Sequence, residues 1–448
     1  MPTAHPRIVI AAAVFAALPG LARGQPRPPD DVDPQLARAI AALPAIDNHA
    51  HPVLPPPNLA GDRLFDALPV DNMEPASDPV ALRPDSGQLA DAWAALWHFT
   101  ERPPLSAEAM KRLAAARDKV RAREAEHYDQ WVLDQAHIAT MLANRVALGP
   151  GVQPPRFRWV PYIDALVFPL DNTGLAADTP DRAQFFALED KLRAQYLQAV
   201  RLSSLPATLD AYLTQVVTPT IERHRAEGAV AEKLEIAYLR NLDFGDPTRE
   251  QAARMYARWV NQPRPDPAAY KLLQDFLFRF IAGECGRLHM AVHLHTMSGG
   301  GGYFSIAGAN PLLLEPVFNT PRLRHTQFVM LHGGWPFVHE AGSMLQKPNA
   351  WLDVSSQALM IPPRTLAGWL REWLETFPDK VLYATDGYPF SEALGWEEST
   401  FLGDRNLRQA LGIALSGMLR DREVTREQAV AIARGVLHDN AAKLYGIP

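Results

Sequence analysis

The sequence of 448 residues holds one cysteine, Cys285, so an internal disulfide is excluded. It has no surplus of positive charge either. A formal net charge of −6 leaves no electrostatic footprint for nucleic acid. No internal repeat is visible, and biased composition is confined to proline-rich connectors such as Pro55-Pro56-Pro57 and Pro263-Arg264-Pro265. Apolar runs long enough to span a bilayer are missing as well. The apolar stretch Ile8 to Leu21, preceded by Arg7, has the length of a signal-peptide core and is too short for a span. Ala22 and Gly24 supply the small residues of a cleavage site before Gln25. The expectation is therefore a leader at 1–24, a polar connector at 25–33, and an exported, periplasmic or secreted chain with no membrane contact after processing.

What is present points to a large globular core, since 47% of residues are hydrophobic and 21% charged. After a short amphipathic helix at 34–43, apolar runs alternate with helical stretches. The runs are 45–47, 138–148, 157–168, 229–238, 288–294, 327–331, 350–354 and 380–384. Helical patterns at 270–283, 364–376 and 404–420 lie between several of them. Eight strand–helix units argue for a closed parallel sheet, an α/β (β/α)8 barrel occupying 34–448. Two helical insertions decorate it, at 86–132 and 180–227, with Trp93, Trp97 and Trp131 read as core. The last helix opens with the capping box Thr425-Arg-Glu-Gln428 and ends near Gly446.

The chemistry gathers where strands stop. Asp47-Asn48-His49-Ala50-His51 follows the first run, His293-Leu-His295 the fifth, His332-Gly-Gly the sixth and Asp386-Gly the eighth. In such a barrel all strand C-termini open on one face, so these residues converge. Imidazoles and a carboxylate suit zinc or another divalent first-row ion. Alternation allows His49 and His51 to reach one ion. His293 reads as a hydrogen-bonded core residue and His325 as solvated. The glycines 299–302 lack the Lys-Ser/Thr tail of a phosphate loop and read as an active-site loop.

Asp47-x-His49-x-His51 resembles the metal signature of the amidohydrolase superfamily. HTMSGGGGYFSIAGANPLLLEPV (295–317), MLHGGWPFVHEA (330–341), AWLDVSS (350–356), VLYATDGYPF (381–390) and the closing VLHDNAAKLYGIP resemble its amidohydrolase-related branch, which includes aminocarboxymuconate semialdehyde decarboxylase-like enzymes. The resemblance covers 45–51 and 288–448. It implies His49, His51, His295 and Asp386 as metal ligands, His332 as a ligand or as the catalytic acid/base, and Asp386 also as the group that takes a proton from water. One ion is expected rather than two. Lys233, placed well before the end of a strand at 229–238, reads as structural or ion-paired, which puts a bridging role in doubt. Arg240 is the candidate for gripping a substrate carboxylate, while Trp335, Tyr388 and Asn310 are candidates for shaping the pocket. The implied activity is hydrolysis of an amide, lactone or ester of a small molecule. The alternative is non-oxidative decarboxylation of a small aromatic or unsaturated acid, and a non-catalytic barrel is a third reading. A homodimer is compatible with all three.

Overall fold

The computed structural model describes residues 31–55, 58, 61–62, 64–67, 74 and 76–448. The expected leader, most of the connector, and Pro56 and Pro57 lie outside the described residues. No helix among those described is long and apolar enough to cross a membrane.

Eight short parallel strands follow one another: β1 (Ala45–Ala50), β2 (Ile138–Asn144), β3 (Phe157–Val160), β4 (Ala231–Leu234), β5 (Ala291–His295), β6 (Phe328–Leu331), β7 (Ala350–Asp353) and β8 (Val381–Leu382). They pair in sequence order as β1-β2-β3 and β4-β5-β6-β7-β8. Parallel bridges Trp159–Ala229 and Tyr162–Lys233 continue β3 into β4. Backbone bonds from Asn48 N to Tyr383 O (3.0 Å), Asp386 N to His49 O (2.9 Å) and His51 N to Gly387 O (2.8 Å) join β8 to β1. The sheet thus closes on itself. Side chains fasten the seam too, because buried Asp47 accepts from the backbone N (3.0 Å) and Oγ1 (2.5 Å) of Thr385.

Strands buried on both sides need apolar residues facing outward and inward. The outward set packs against a shell of helices that includes Pro267–Arg287, Pro363–Thr376 and Trp396–Arg420. The inward set forms a separate cluster of Ile46, Leu142, Val160, Val329, Leu331 and Leu382, against which Leu444, Tyr445 and Ile447 of the C-terminus pack. The last helical segment, Asn440–Tyr445, ends at Gly446 in the left-handed conformation (φ 63°), as the sequence pattern requires. The Thr425 capping box is formed. Buried Cys285 packs in the outer core.

Both insertions are helical: Gln88–Trp97, Ala107–Glu124 and Tyr128–Gln135 in the first, and Pro180–Ala199 with Thr218–Ala226 in the second. The first thickens the wall. Glu398, fully buried on the helix Trp396–Arg420, accepts from Trp97 Nε1 at 2.6 Å and from Arg117 Nε at 3.0 Å, while its other oxygen caps Gly395 N at 3.0 Å. Trp93 and Trp97 are core, as expected, and Trp131 is partly buried beside them. Removing the carboxylate strands a buried guanidinium and an indole N–H, which costs about 3 kcal/mol or more. Glu398→Ala is therefore expected to lower unfolding stability by roughly that amount in a urea titration. A loss under about 1 kcal/mol would mean that the insertion is not held by this pair.

Candidate metal centre

The seam between β1 and β8 sets the centre. His49 Nε2 lies 3.3 Å from His51 Nε2 and 3.4 Å from Asp386 Oδ1, and His51 Nε2 lies 3.5 Å from the same oxygen. Three donor atoms thus face one point. His332, just beyond β6, brings its ring within 5.1 Å of the His49 ring and 4.6 Å of the His295 ring. Its Nδ1 stands 3.8 Å from Asp386 Oδ2. Ligand atoms of His49, His332 and Asp386 fall within 4.8 Å of one another. The backbones of His332, Ser356 and Asp386 have positive φ (67°, 62° and 56°), and all three residues line the same cavity. Such conformations cost energy in a side-chain-bearing residue and persist where surrounding structure imposes them.

The donor set fits a divalent cation. Burial, reinforced by the Lys233 charge, pushes the His49 and His51 imidazoles well below their ordinary pKa. Burial acts the same way on His332, followed by the nearby His295, and holds His295 at about 3. Neutral imidazoles are what a metal requires. His49 Nδ1 is buried with no hydrogen-bond partner among the described residues. Burial raises the Asp386 carboxyl to about 7, against the opposing pull of Lys233.

Lys233 corrects the sequence reading. β4 ends at Leu234 and the chain then turns through Ile236–Tyr238, so Lys233 is the penultimate strand residue instead of lying far from the end. Its fully buried Nζ reaches His49 Nε2 at 3.3 Å and Glu235 Oε1 at 3.8 Å. It belongs to the centre. A positive charge there opposes a cation at the same point.

Other expected residues divide. Trp335, Tyr388, His295 and the glycines 299–302 line the cavity, whose volume is about 380 Å³. A Cβ on Gly299 would sit 2.4 Å from Tyr238 Cε1, so only glycine fits that approach. His295 turns Nε2 to Met297 O at 2.8 Å, leaving Nδ1 as its remaining ring nitrogen. Arg240 is elsewhere. It pairs with Asp275 at 2.8 Å, bonds Gln274 at 3.1 Å and stacks 4.5 Å over Phe244, because the turn after β4 carries it behind the wall. Asn310 is no pocket residue either, since its side chain accepts from Leu312 N at 2.9 Å to cap a short turn. His325 is exposed and His293 is fully buried, both as read.

The sequence pattern gave no hint of a polar chain through the barrel. Ser355 Oγ lies 2.8 Å from His332 Nδ1 and donates to Asp353 Oδ1 at 2.6 Å, and His332 N donates to the same oxygen at 2.8 Å. Asn48 Nδ2 donates to Asp353 Oδ2 at 2.7 Å, and the Tyr445 hydroxyl bonds Asn48 Oδ1 and lies 2.7 Å from His293 Nε2. On the other side, Tyr162 hydroxyl stands 3.2 Å from His51 Nδ1 and Asp66 Oδ2 stands 3.6 Å from it. These contacts fix which imidazole nitrogen faces the centre.

A closed eight-stranded parallel barrel with histidines and an aspartate at its strand ends defines a class, the metal-dependent enzymes of the amidohydrolase superfamily. The family model described as amidohydrolase matches residues 176–447, more than half of the sequence, and the chain belongs to that family. Protein fluG of Emericella nidulans is 29% identical over 231 residues, which span 48% of this chain and only 25% of that protein. Two solved structures share the fold at low identity. A Lactobacillus casei protein described as a metal-dependent hydrolase aligns with a TM-score of 0.60 and 17% identity, covering 92% of this chain and 97% of that one. The uronate isomerase of Thermotoga maritima aligns at 0.59 and 13%, covering 93% and 98%.

Replacing both His49 and His51 by alanine is expected to abolish metal retention while far-UV circular dichroism keeps the wild-type helix content. Metal content equal to wild type, by elemental analysis, would remove both residues from the ligand set.

Proposed function

We propose that the chain is a hydrolase that cleaves an amide, ester or lactone of a small molecule, with zinc or a similar first-row ion held by His49, His51 and Asp386 and approached by His295 and His332. The observation that carries this reading is the convergence of two imidazoles and one carboxylate oxygen within 3.5 Å at the floor of the cavity. When bound, such an ion supplies Lewis acidity, polarising a carbonyl and making water a stronger acid. The protein's part is proton handling and positioning. Asp386 turns Oδ1 to the two histidines and Oδ2 toward His332, so Oδ2 is the atom placed to accept a proton from the attacking water. Once protonated, the same carboxyl is placed to pass that proton to the departing nitrogen or oxygen, while His332, neutral and held by Ser355 and Asp353, is placed to orient the attacking water. Trp335 and Tyr388 exclude water from the cavity wall.

Decarboxylation calls for a grip on a substrate carboxylate. The arginine expected to provide it, Arg240, is already paired with Asp275, which supports the neutral carbonyl substrate instead. The proposal includes export by way of the apolar stretch Ile8 to Leu21, and one ion per chain.

Two outcomes follow. His332→Ala and Asp386→Asn are each expected to lower kcat on a hydrolysed amide, ester or lactone by about 10²–10⁴, and wild-type turnover in either variant would exclude the role given to that residue. Elemental analysis of chelator-free protein is expected to give about one equivalent of metal per chain. Two equivalents, reduced to one in Lys233→Met, would instead make Lys233 a bridge.

A further inference from the structure

The cavity changes character from floor to rim. Its floor carries His51, Lys233 and Asp386, while its upper wall carries Leu82, Phe304 and Ile306. Phe304 packs edge-on against Tyr238 at 5.2 Å, and Tyr238 lies 4.7 Å from the His295 ring, so an aromatic wall rises directly from the polar floor. Exposed apolar side chains flank it. Among the described residues the exposed large hydrophobic side chains are Leu64, Val80, Tyr303, Ile306 and Leu312. Single exposed apolar residues scattered over a surface need no explanation. These are not scattered. Leu64 and Val80 belong to the segment after β1, and Tyr303, Ile306 and Leu312 to the segment after β5. Those two segments also supply cavity walls, through Pro79 and Leu82 on one side and Met297, Phe304 and Ile306 on the other. Val80 and Tyr303 are 66% and 73% exposed, although each neighbours a cavity-lining residue in sequence.

Resting on the hydrolase reading above, we infer that the substrate has two parts: a polar reacting head on the His/Asp floor, and an uncharged alkyl or aryl arm that runs along Phe304 and Ile306 to the rim formed by the segments after β1 and β5. A volume of about 380 Å³ accommodates such a molecule as a whole, not a bare small head group. The occupant of the rim is the substrate's arm because Leu82 and Ile306, which line the cavity, belong to the same two segments as the exposed Val80 and Tyr303. Burying it there gives a gain that grows with each methylene.

The test uses the metal-reconstituted full chain and n-alkyl hydroxamates from acetohydroxamate to octanohydroxamate, titrated by calorimetry. The metal-seeking head is constant and only the arm lengthens. Affinity is expected to rise about two- to fourfold per methylene over the first additions, with an increasingly negative heat-capacity change. Ile306→Ser and Val80→Ser, both at exposed positions that tolerate a polar residue, are expected to flatten that rise. Binding of every member with affinity independent of chain length would overturn the arm and leave the hydrolase reading standing. A flat series together with loss of dimer in Ile306→Ser, seen by sedimentation, would assign the rim to contact between subunits and likewise overturn the proposal. No binding by any member would overturn the hydrolase reading and the arm with it.

Discussion

The pairing of β1 with the segment after β8 is the contact on which the rest of the molecule depends. Three backbone hydrogen bonds and the Asp47–Thr385 contacts hold together stretches of chain separated by most of the sequence. Closing the sheet at this seam removes both of its edges, and it brings Asp386 Oδ1 within 3.5 Å of two histidines carried by the first strand. The same bonds that finish the barrel therefore assemble the metal centre. A defect in the seam would loosen the fold and the site together.

Burial governs the electrostatics once the seam is closed. The barrel mouth is dry enough that every histidine facing it stays neutral, ready to act as a ligand, while the one lysine among them shifts their protonation further toward the neutral form. Lys233 is held between His49 and Glu235, whose buried carboxyl lies 3.8 Å away. The polar chain from His332 through Asp353 and Asn48 to Tyr445 extends this order to the opposite mouth, where C-terminal residues plug the barrel. The end of the chain is thus tied to the orientation of a site residue by hydrogen bonds, because Asn48 of β1 and Asp353 of β7 meet inside the closed sheet.

The apolar rim completes a gradient from polar floor to greasy lip. Both rim segments follow strand C-termini, the face on which this fold places variable loops. Chemistry stays on the rigid strand ends, and selectivity is left to the segments after β1 and β5.

Much of this was legible in the residues. All eight strands lie where the apolar runs predicted them, because buried parallel strands must be continuously apolar. His49, His51, His332 and Asp386 converge as their strand-end positions required, and the Thr425 cap and Gly446 stop follow from local backbone chemistry alone. The misplaced residues share a cause. Lys233 entered the centre and Arg240 left it because β4 is shorter than its apolar run, and a shift of two or three residues at a strand end reverses which side chains reach the cavity. Asn310 was drawn into a local cap that its own turn supplies. Asp66, Tyr162, Ser355 and Tyr445 carry no periodic or motif signal, since each acquires its partner across the barrel. The sequence by itself determined the class of fold, the order of its strands and the kind of ligands at their ends, all of which depend on local pattern. Only the tertiary structure decided which of those ligands share one point and that Lys233 stands among them, because closure of the barrel alone sets distances between residues far apart in the chain.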